Sequence, residues 1–216
     1  MRSRLTVPLV LLPLLAACAG SSTSGPTALA SVAPTAVASS AGPTPTAATP
    51  PRAESAVPAE SNPPGDIPDN LAYVPYSNAS GRYRFTHPEG WAEQVSGSRV
   101  LFTDKLNGVT AEPGPATTAP TVADAKAKDV PGLRGSQAAF ELRNVTPATV
   151  PGGSGVRIIY RRNSAPDAVT GRQYRDEVQR YELVRNGHEV VLEMFGPVGA
   201  DNVDAYRTMV FSLRIA

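Results

Sequence analysis

From residue 76 onward, apolar and polar positions alternate with a period of two. Tyr83 and Phe85 interleave with Arg82, Arg84 and Thr86, and Phe140 and Leu142 with Glu141 and Arg143. Val156, Ile158 and Tyr160 interleave with Arg157 and Arg161, while Val100, Phe102 and Val109 fall in further apolar runs. Such alternation predicts strands with one face on a core. Asn186-Gly187 favours a type I′ turn, whose twist matches that of paired strands. Counting outward from it pairs Leu183 with Val190, Tyr181 with Leu192 and Gln179 with Met194 on one largely apolar face. The other face pairs Arg180 with Glu193 and Glu182 with Val191, a more polar set, so the hydrophobic pattern specifies the register.

Two segments carry a helical period instead. Thr121 is placed to cap a helix running through Asp129, with Asp124 in its first turn and Pro131-Gly132 ending it. Asp201 is placed to cap a second, with Asp204 as a weak capping-box partner. There Val203, Tyr206 and Val210 repeat at helical spacing beside Met209 and Leu213, a stripe read as core. Strands, a helix, more antiparallel strands and a closing helix predict an α+β domain over residues 76–216.

Before residue 76 neither period is present. Residues 19–75 are mostly Ser, Thr, Ala, Pro and Gly, and they hold 11 of the 22 prolines. All Lys, Trp, Tyr and Phe residues come after position 72. Little here offsets the entropy of ordering, so the stretch reads as a disordered tether. As a flexible coil it spans about 40 Å, and as fully extended polyproline II about 175 Å. Its Ser/Thr/Pro content suits O-linked sugars, although an inert spacer explains it equally well.

Residues 1–17 read as an export signal. Arg2 and Arg4 form a basic start, and Leu5 to Leu15 form an apolar run too short for a permanent span, which needs roughly 20 residues. The run ends in Leu15-Ala16-Ala17-Cys18, which resembles the bacterial lipobox. That resemblance implies cleavage before Cys18 and a diacylglyceryl group on its thiol. A lone cysteine also fits poorly with disulfide use in an exported chain. Each buried methylene contributes about 0.8 kcal/mol, and two acyl chains hold stably where one does not. The sequence therefore predicts residues 18–75 as a lipidated tether and places the domain on the extracytoplasmic face of a cell membrane. Position 19 is Ala, so the aspartate that retains some lipoproteins at an inner membrane is absent.

The formal charge is +1. Arg2 and Arg4 are the only charges before Cys18, so a chain beginning there carries 18 basic against 19 acidic side chains. Overall neutrality argues against nucleic acid as a partner.

Gly81-Arg82-Tyr83-Arg84-Phe85-Thr86-His87-Pro88-Glu89-Gly90-Trp91 resembles the opening of PsbP-like domains, where an aromatic strand runs into a Pro-x-Gly-Trp turn. Tyr206 to Arg214, with Phe211-Ser212, is similar to that family's last helix. Over residues 78 to 216 the resemblance implies an antiparallel sheet sandwiched by helices, used for docking to proteins rather than for catalysis. It carries no ligand residues and implies no photosystem role. The Ala/Pro-rich stretch from Glu112 to Pro120 departs from a compact version and reads as a mobile loop.

Candidates for chemistry are few. His87 and His188 have no second His or Cys at zinc spacing, so no metal is expected. Gly152-Gly153-Ser154-Gly155 lacks the spacing of a serine-nucleophile elbow and reads as a flexible turn. Glu89, Glu112, Glu177 and Glu193 are available carboxylates, but nothing pairs them. Nucleotide-binding glycine loops are missing, and no cofactor is expected. Trp91 is read either as a buried lock on its turn or as an exposed anchor for a partner. Arg157, Arg161, Arg162, Arg172 and Arg175 are read as a solvated sheet face paired with Asp176, Glu177 and Glu182. The sequence thus predicts a lipid-anchored, non-enzymatic accessory module that docks an envelope protein. Its alternatives are a carrier of a lipid or other apolar ligand, and an envelope hydrolase.

Overall fold

The computed structural model describes residues 54–59 and 65–216. Among them run β1 (Tyr73–Asn78), β2 (Tyr83–Pro88), β3 (Ala92–Ser96), β4 (Arg99–Asp104) and β5 (Asn107–Gly114). Then come α1 (Val122–Ala127), α2 (Asp129–Ser136), β6 (Glu141–Val150), β7 (Gly153–Asn163), β8 (Arg175–Arg185) and β9 (His188–Pro197). The chain closes with α3 (Val203–Ser212) and β10 (Arg214–Ile215). Seven strands form one sheet in the order β3-β4-β5-β9-β8-β7-β6, and β1-β2-β10 form a second. Every pairing is antiparallel. The fold is α+β, with a flanked antiparallel sheet as the alternation predicts.

The large sheet separates two cores. On one face Val100, Phe102, Val109, Ala111, Leu183, Val190, Leu192 and Met194 pack against the small sheet's Tyr83 and Phe85 and α3's Tyr206, Met209 and Val210. On the other, Val156, Ile158, Tyr160 and Val178 meet Ala125, Val130 and Leu133 of α1 and α2. One flank therefore holds a second sheet as well as a helix. β10 is only two residues long, and that pattern is too short for a period to register.

The β8–β9 hairpin has the predicted register, with Leu183 opposite Val190, Tyr181 opposite Leu192 and Gln179 opposite Met194. Asn186 (φ 52°) and Gly187 (φ 75°) supply the left-handed pair that its two-residue turn requires.

Thr121 caps α1 as expected, in a complete capping box with Asp124. The helical stretch does not stop at Pro131-Gly132. Pro131 lies in the first turn of α2, where a missing N–H costs nothing. α3 is capped at Asn202, not Asp201, and Asn202 spends its side chain elsewhere. Val203 is exposed, so the buried stripe runs instead through Ala205, Tyr206, Met209, Val210 and Leu213.

The folded body also begins before residue 76. β1 opens at Tyr73, and Ile67 is only 4% exposed in the core. Ile67 N–H donates to Asn202 Oδ1 (2.8 Å), and Asn202 Nδ2 donates to Asn107 Oδ1 (2.9 Å) and Gly65 O (3.2 Å). Further upstream, Val57 N–H donates to Asn163 Oδ1 (3.1 Å), and Asn163 Nδ2 donates to Glu54 Oε1 (2.7 Å). Residues 54–57 and 65–75 thus carry structural contacts inside the stretch that composition assigns to the tether. Four buried or half-buried apolar groups (Ile67, Leu71, Tyr73, Tyr76) are enough to order the latter part.

Candidate functional site

Of the residues singled out in sequence, Cys18 lies outside the described residues. Trp91 is 7% exposed and belongs to the core beside Ile67. It also lines a cavity of about 560 Å³ with Ile67, Pro68, Leu71 and Asp104. The structure therefore favours the turn-locking role over the exposed anchor, because the segment from Gly65 to Leu71 lies alongside the indole. His87 is buried, stacks on Phe102 with ring centres 3.6 Å apart, and shares Nδ1 with Pro88 O at 2.9 Å. Burial holds its pKa below the ordinary histidine value.

The four glutamates are dispersed. Glu89 is exposed after β2, and Glu112 pairs with Arg99 (3.6 Å). Glu177 pairs with Arg161 (3.1 Å), and Glu193 sits between Arg162 (3.2 Å) and Arg180 (3.3 Å). The glycine run is a packed corner rather than a flexible turn. A Cβ on Gly155 would lie 1.9 Å from Glu182 O, and one on Gly152 would lie 2.8 Å from Leu213 O.

The predicted arginine face is solvated only in part: Arg172 is exposed and Arg161 pairs with Glu177 as read, but Arg162 and Arg175 are largely buried. Arg162 reaches Asp176 (3.7 Å), with side chains 17% and 4% exposed, and Arg175 reaches Glu141 (3.0 Å). Arg180 holds Glu182 (2.7 Å), and Tyr160 O–H donates to Glu193 Oε2 (3.0 Å). Burial pushes the Asp176 carboxyl up to about 7 against the pull of Arg162 and Arg175. Burial also raises Glu182, which Arg180 opposes. This network consumes its own charges and is read as structural.

A different set of arginines is left over. Arg82, Arg84, Arg185 and Arg214 line one open groove of about 700 Å³, together with Ser77, Asn78, Ala79, Tyr83, Asn186 and Ile215. No Asp or Glu side chain lines it, and none of the four arginines forms an ion pair among the described residues. A carboxylate at Ala216 would offset one of the four charges at most.

Each wall is built locally. In the β1–β2 turn, buried Asn78 Oδ1 accepts from Gly81 N–H (2.7 Å) and Ser80 O–H (2.8 Å). Any side chain at Gly81 would run into the Tyr83 ring, 2.4 Å away. Arg82 follows at φ 57°, a left-handed conformation that costs a non-glycine residue about 1 kcal/mol or more. Beneath it, Tyr83 O–H is held by Ser98 O and Ala111 O, both at 2.9 Å. The opposite wall is the hairpin tip. Arg185 donates to Pro151 O (2.7 Å) and faces His188 across the turn. Arg82 in turn donates to His188 Nε2, which joins the two walls. Arg214 donates to Phe211 O (2.8 Å) and Leu213 O (2.7 Å), the carbonyls at the end of α3. Arg84 makes no side-chain hydrogen bond among the described residues, and it stands directly opposite Arg214.

Guanidinium groups that already have neutral partners but no counter-charge can still recognise anionic oxygens in planar pairs. Sequence reasoning missed this site because its arginines come from three separate segments, the start of β2, the end of β8 and β10. The available signal was the repeat of Arg82 and Arg84 on the outward face of an otherwise apolar strand.

No family model matches the chain, and no curated protein matches it. Among solved structures it is similar to cyanobacterial PsbP (CyanoP) from Synechocystis sp. PCC 6803, at 16% identity and TM-score 0.47, over 70% of this chain and 98% of that one. It is also similar to the Saccharomyces cerevisiae Ran-binding protein Mog1p, at 8% and 0.43, over 68% and 96%. LpqN of Mycobacterium tuberculosis, described as involved in cell envelope biogenesis, matches at 14% and 0.40, over 68% and 92%. With TM-scores under 0.5, no residue role passes from these proteins to this chain.

Proposed function

We propose that this protein is a membrane-anchored bacterial lipoprotein presenting a small non-catalytic binding domain on the extracytoplasmic side. Its arginine groove is the contact face for another envelope component. The observation that carries the binding half is charge segregation. Other arginines, such as Arg161, Arg162, Arg175 and Arg180, are paired with carboxylates, while four that have no carboxylate partner among the described residues converge on one groove. The anchoring half rests on the Leu15-Ala16-Ala17-Cys18 sequence behind a basic and apolar start. Among the described residues no helix is long and apolar enough to cross a membrane.

Both halves are open to direct test. Intact mass of the protein purified from its own membranes is expected to match a chain starting at Cys18 with a diacylglyceryl adduct. Cys18→Ala is expected to block processing or release the protein. An unmodified mature chain would overturn the anchor. A photocrosslinker at Asn186, on the groove rim, is expected to trap a specific envelope protein in intact cells. Recovery of lipid alone would overturn the docking role.

A further inference from the structure

The groove has a composition that selects among anions. Its charged walls are Arg82, Arg84, Arg185 and Arg214, and the accessible surface between them comes from Ser77, Ala79 and Asn186, since Tyr83 and Ile215 are buried. We infer that its ligand is an extended acidic peptide segment of an envelope protein. This rests on the reading of the groove as a binding face and not on the lipid anchor.

Three features favour that chemistry. The first is that guanidinium forks pair with carboxylates in a bidentate, planar manner, and four forks around one trough suit several carboxylates spaced along a chain. The second concerns the neutral lining. Exposed Ser77 and Asn186 offer oxygen acceptors to a peptide's backbone N–H groups, which a bare phosphate chain lacks, while the peptide's carboxylates reach the walls. The third separates the groove from a bilayer surface. Membrane-docking patches combine basic residues with protruding apolar ones, yet the exposed large apolar residues Val95, Val169, Val203 and Phe211 do not line the groove.

The stereochemistry adds support. Arg84 and Arg214 face each other in register, an arrangement that disfavours the free state. An anion between them relieves it, so part of the affinity comes from repulsion already present in the unliganded domain.

The test uses the full mature chain in non-ionic detergent and a short fluorescent peptide rich in Glu and Asp. Fluorescence anisotropy is expected to show saturable binding that weakens as salt rises from about 50 to about 200 mM. The same peptide with Gln and Asn in place of the acids is expected not to bind. Arg84→Thr with Arg214→Thr is expected to weaken binding about tenfold or more. A cooperative melting transition of that variant shows that it is folded. Equal binding by parent and variant would overturn the inference. So would tighter binding of polyphosphate than of the acidic peptide, which would assign the groove to a phosphate chain. Binding to phosphatidylglycerol vesicles by an unlipidated Cys18→Ala chain, without peptide binding, would assign it to the bilayer. If crosslinking at Asn186 traps an envelope protein while the peptide fails to bind, the binding module stands and the acidic-peptide assignment falls.

Discussion

Arg84 on β2 stands directly opposite Arg214 on β10, so two guanidinium groups share one rung of the three-stranded sheet. Like charges placed directly across antiparallel strands are destabilising by a few tenths to about 1 kcal/mol. Arg84 makes no side-chain hydrogen bond among the described residues that its removal would break. Arg84→Thr is therefore expected to raise stability by about 0.2–1 kcal/mol, seen as a higher urea midpoint at unchanged slope. A lower midpoint would mean that Arg84 is held by contacts other than charge. A binding residue that costs its own domain stability is the pattern expected of a functional site.

The buried ion network makes the opposite prediction. Arg180 lies between Glu182 (2.7 Å) and Glu193 (3.3 Å), with Glu182's side chain only 4% exposed. Arg180→Met leaves both carboxylates without that partner, and breaking such a buried pair costs about 3–5 kcal/mol. Chemical denaturation should show a loss of that order. A loss under about 1 kcal/mol would place these groups effectively in water.

Much of the architecture can be read directly from residue order, but unevenly. The β8–β9 hairpin was fully legible because Asn186-Gly187 fixes the turn and the apolar face then counts outward to Gln179 and Met194. The opposite face of that hairpin was read only as the more polar one. That Arg180, Glu182 and Glu193 are buried was not legible, because the placement of α1 and α2 over that side, together with mutual pairing, buries them. Composition hid the true start of the domain, since Ile67 and Leu71 are isolated among prolines and reveal their role only where Asn202 and Trp91 meet them. The arginine groove was illegible for a related reason. Near-zero net charge concealed it, because carboxylates pair with many other arginines, Arg161, Arg162, Arg175 and Arg180 among them, while Arg82, Arg84, Arg185 and Arg214 have no such partner among the described residues.

Asp176 gives the domain a pH dependence. Burial raises its carboxyl to about 7, against about 3.9 in an unfolded chain. Between those values the folded state binds the proton and the unfolded state does not. Stability therefore falls as pH rises through that window and levels off above about 7. The span corresponds to on the order of 4 kcal/mol as an upper bound. Asp176→Asn is expected to flatten the fall in melting temperature from pH 4 to 7 measured across buffers of constant ionic strength, once the other carboxylates are allowed for. Parallel profiles for parent and variant would mean that Asp176 ionises normally beside Arg162.

The last expectation concerns where the folded body starts. Deleting everything before residue 65 removes Glu54, Ser55 and Val57, whose part-buried bonds hold Asn163, but it also opens Asn163 to water and should cost no more than about 1–2 kcal/mol. Deleting to residue 76 is a different operation. It removes half of β1, takes Ile67, Leu71 and Tyr73 from the core, and leaves Asn202 and Asn107 without Ile67 N–H and Gly65 O. Each orphaned buried polar group costs about 1–3 kcal/mol, and each lost large apolar side chain about 1.5–3 kcal/mol. Together these approach the whole stability of a typical domain, about 5–15 kcal/mol. A chain starting at 65 should show a cooperative melt near that of the parent, and one starting at 76 should show none. Asn202→Ala offers an intermediate case, expected to lose about 2–3 kcal/mol and to accelerate amide exchange at Ile67. If the 76-start chain melts like the parent, the segment from Gly65 to Leu71 is not part of the cooperative unit, and the domain begins where composition alone would put it.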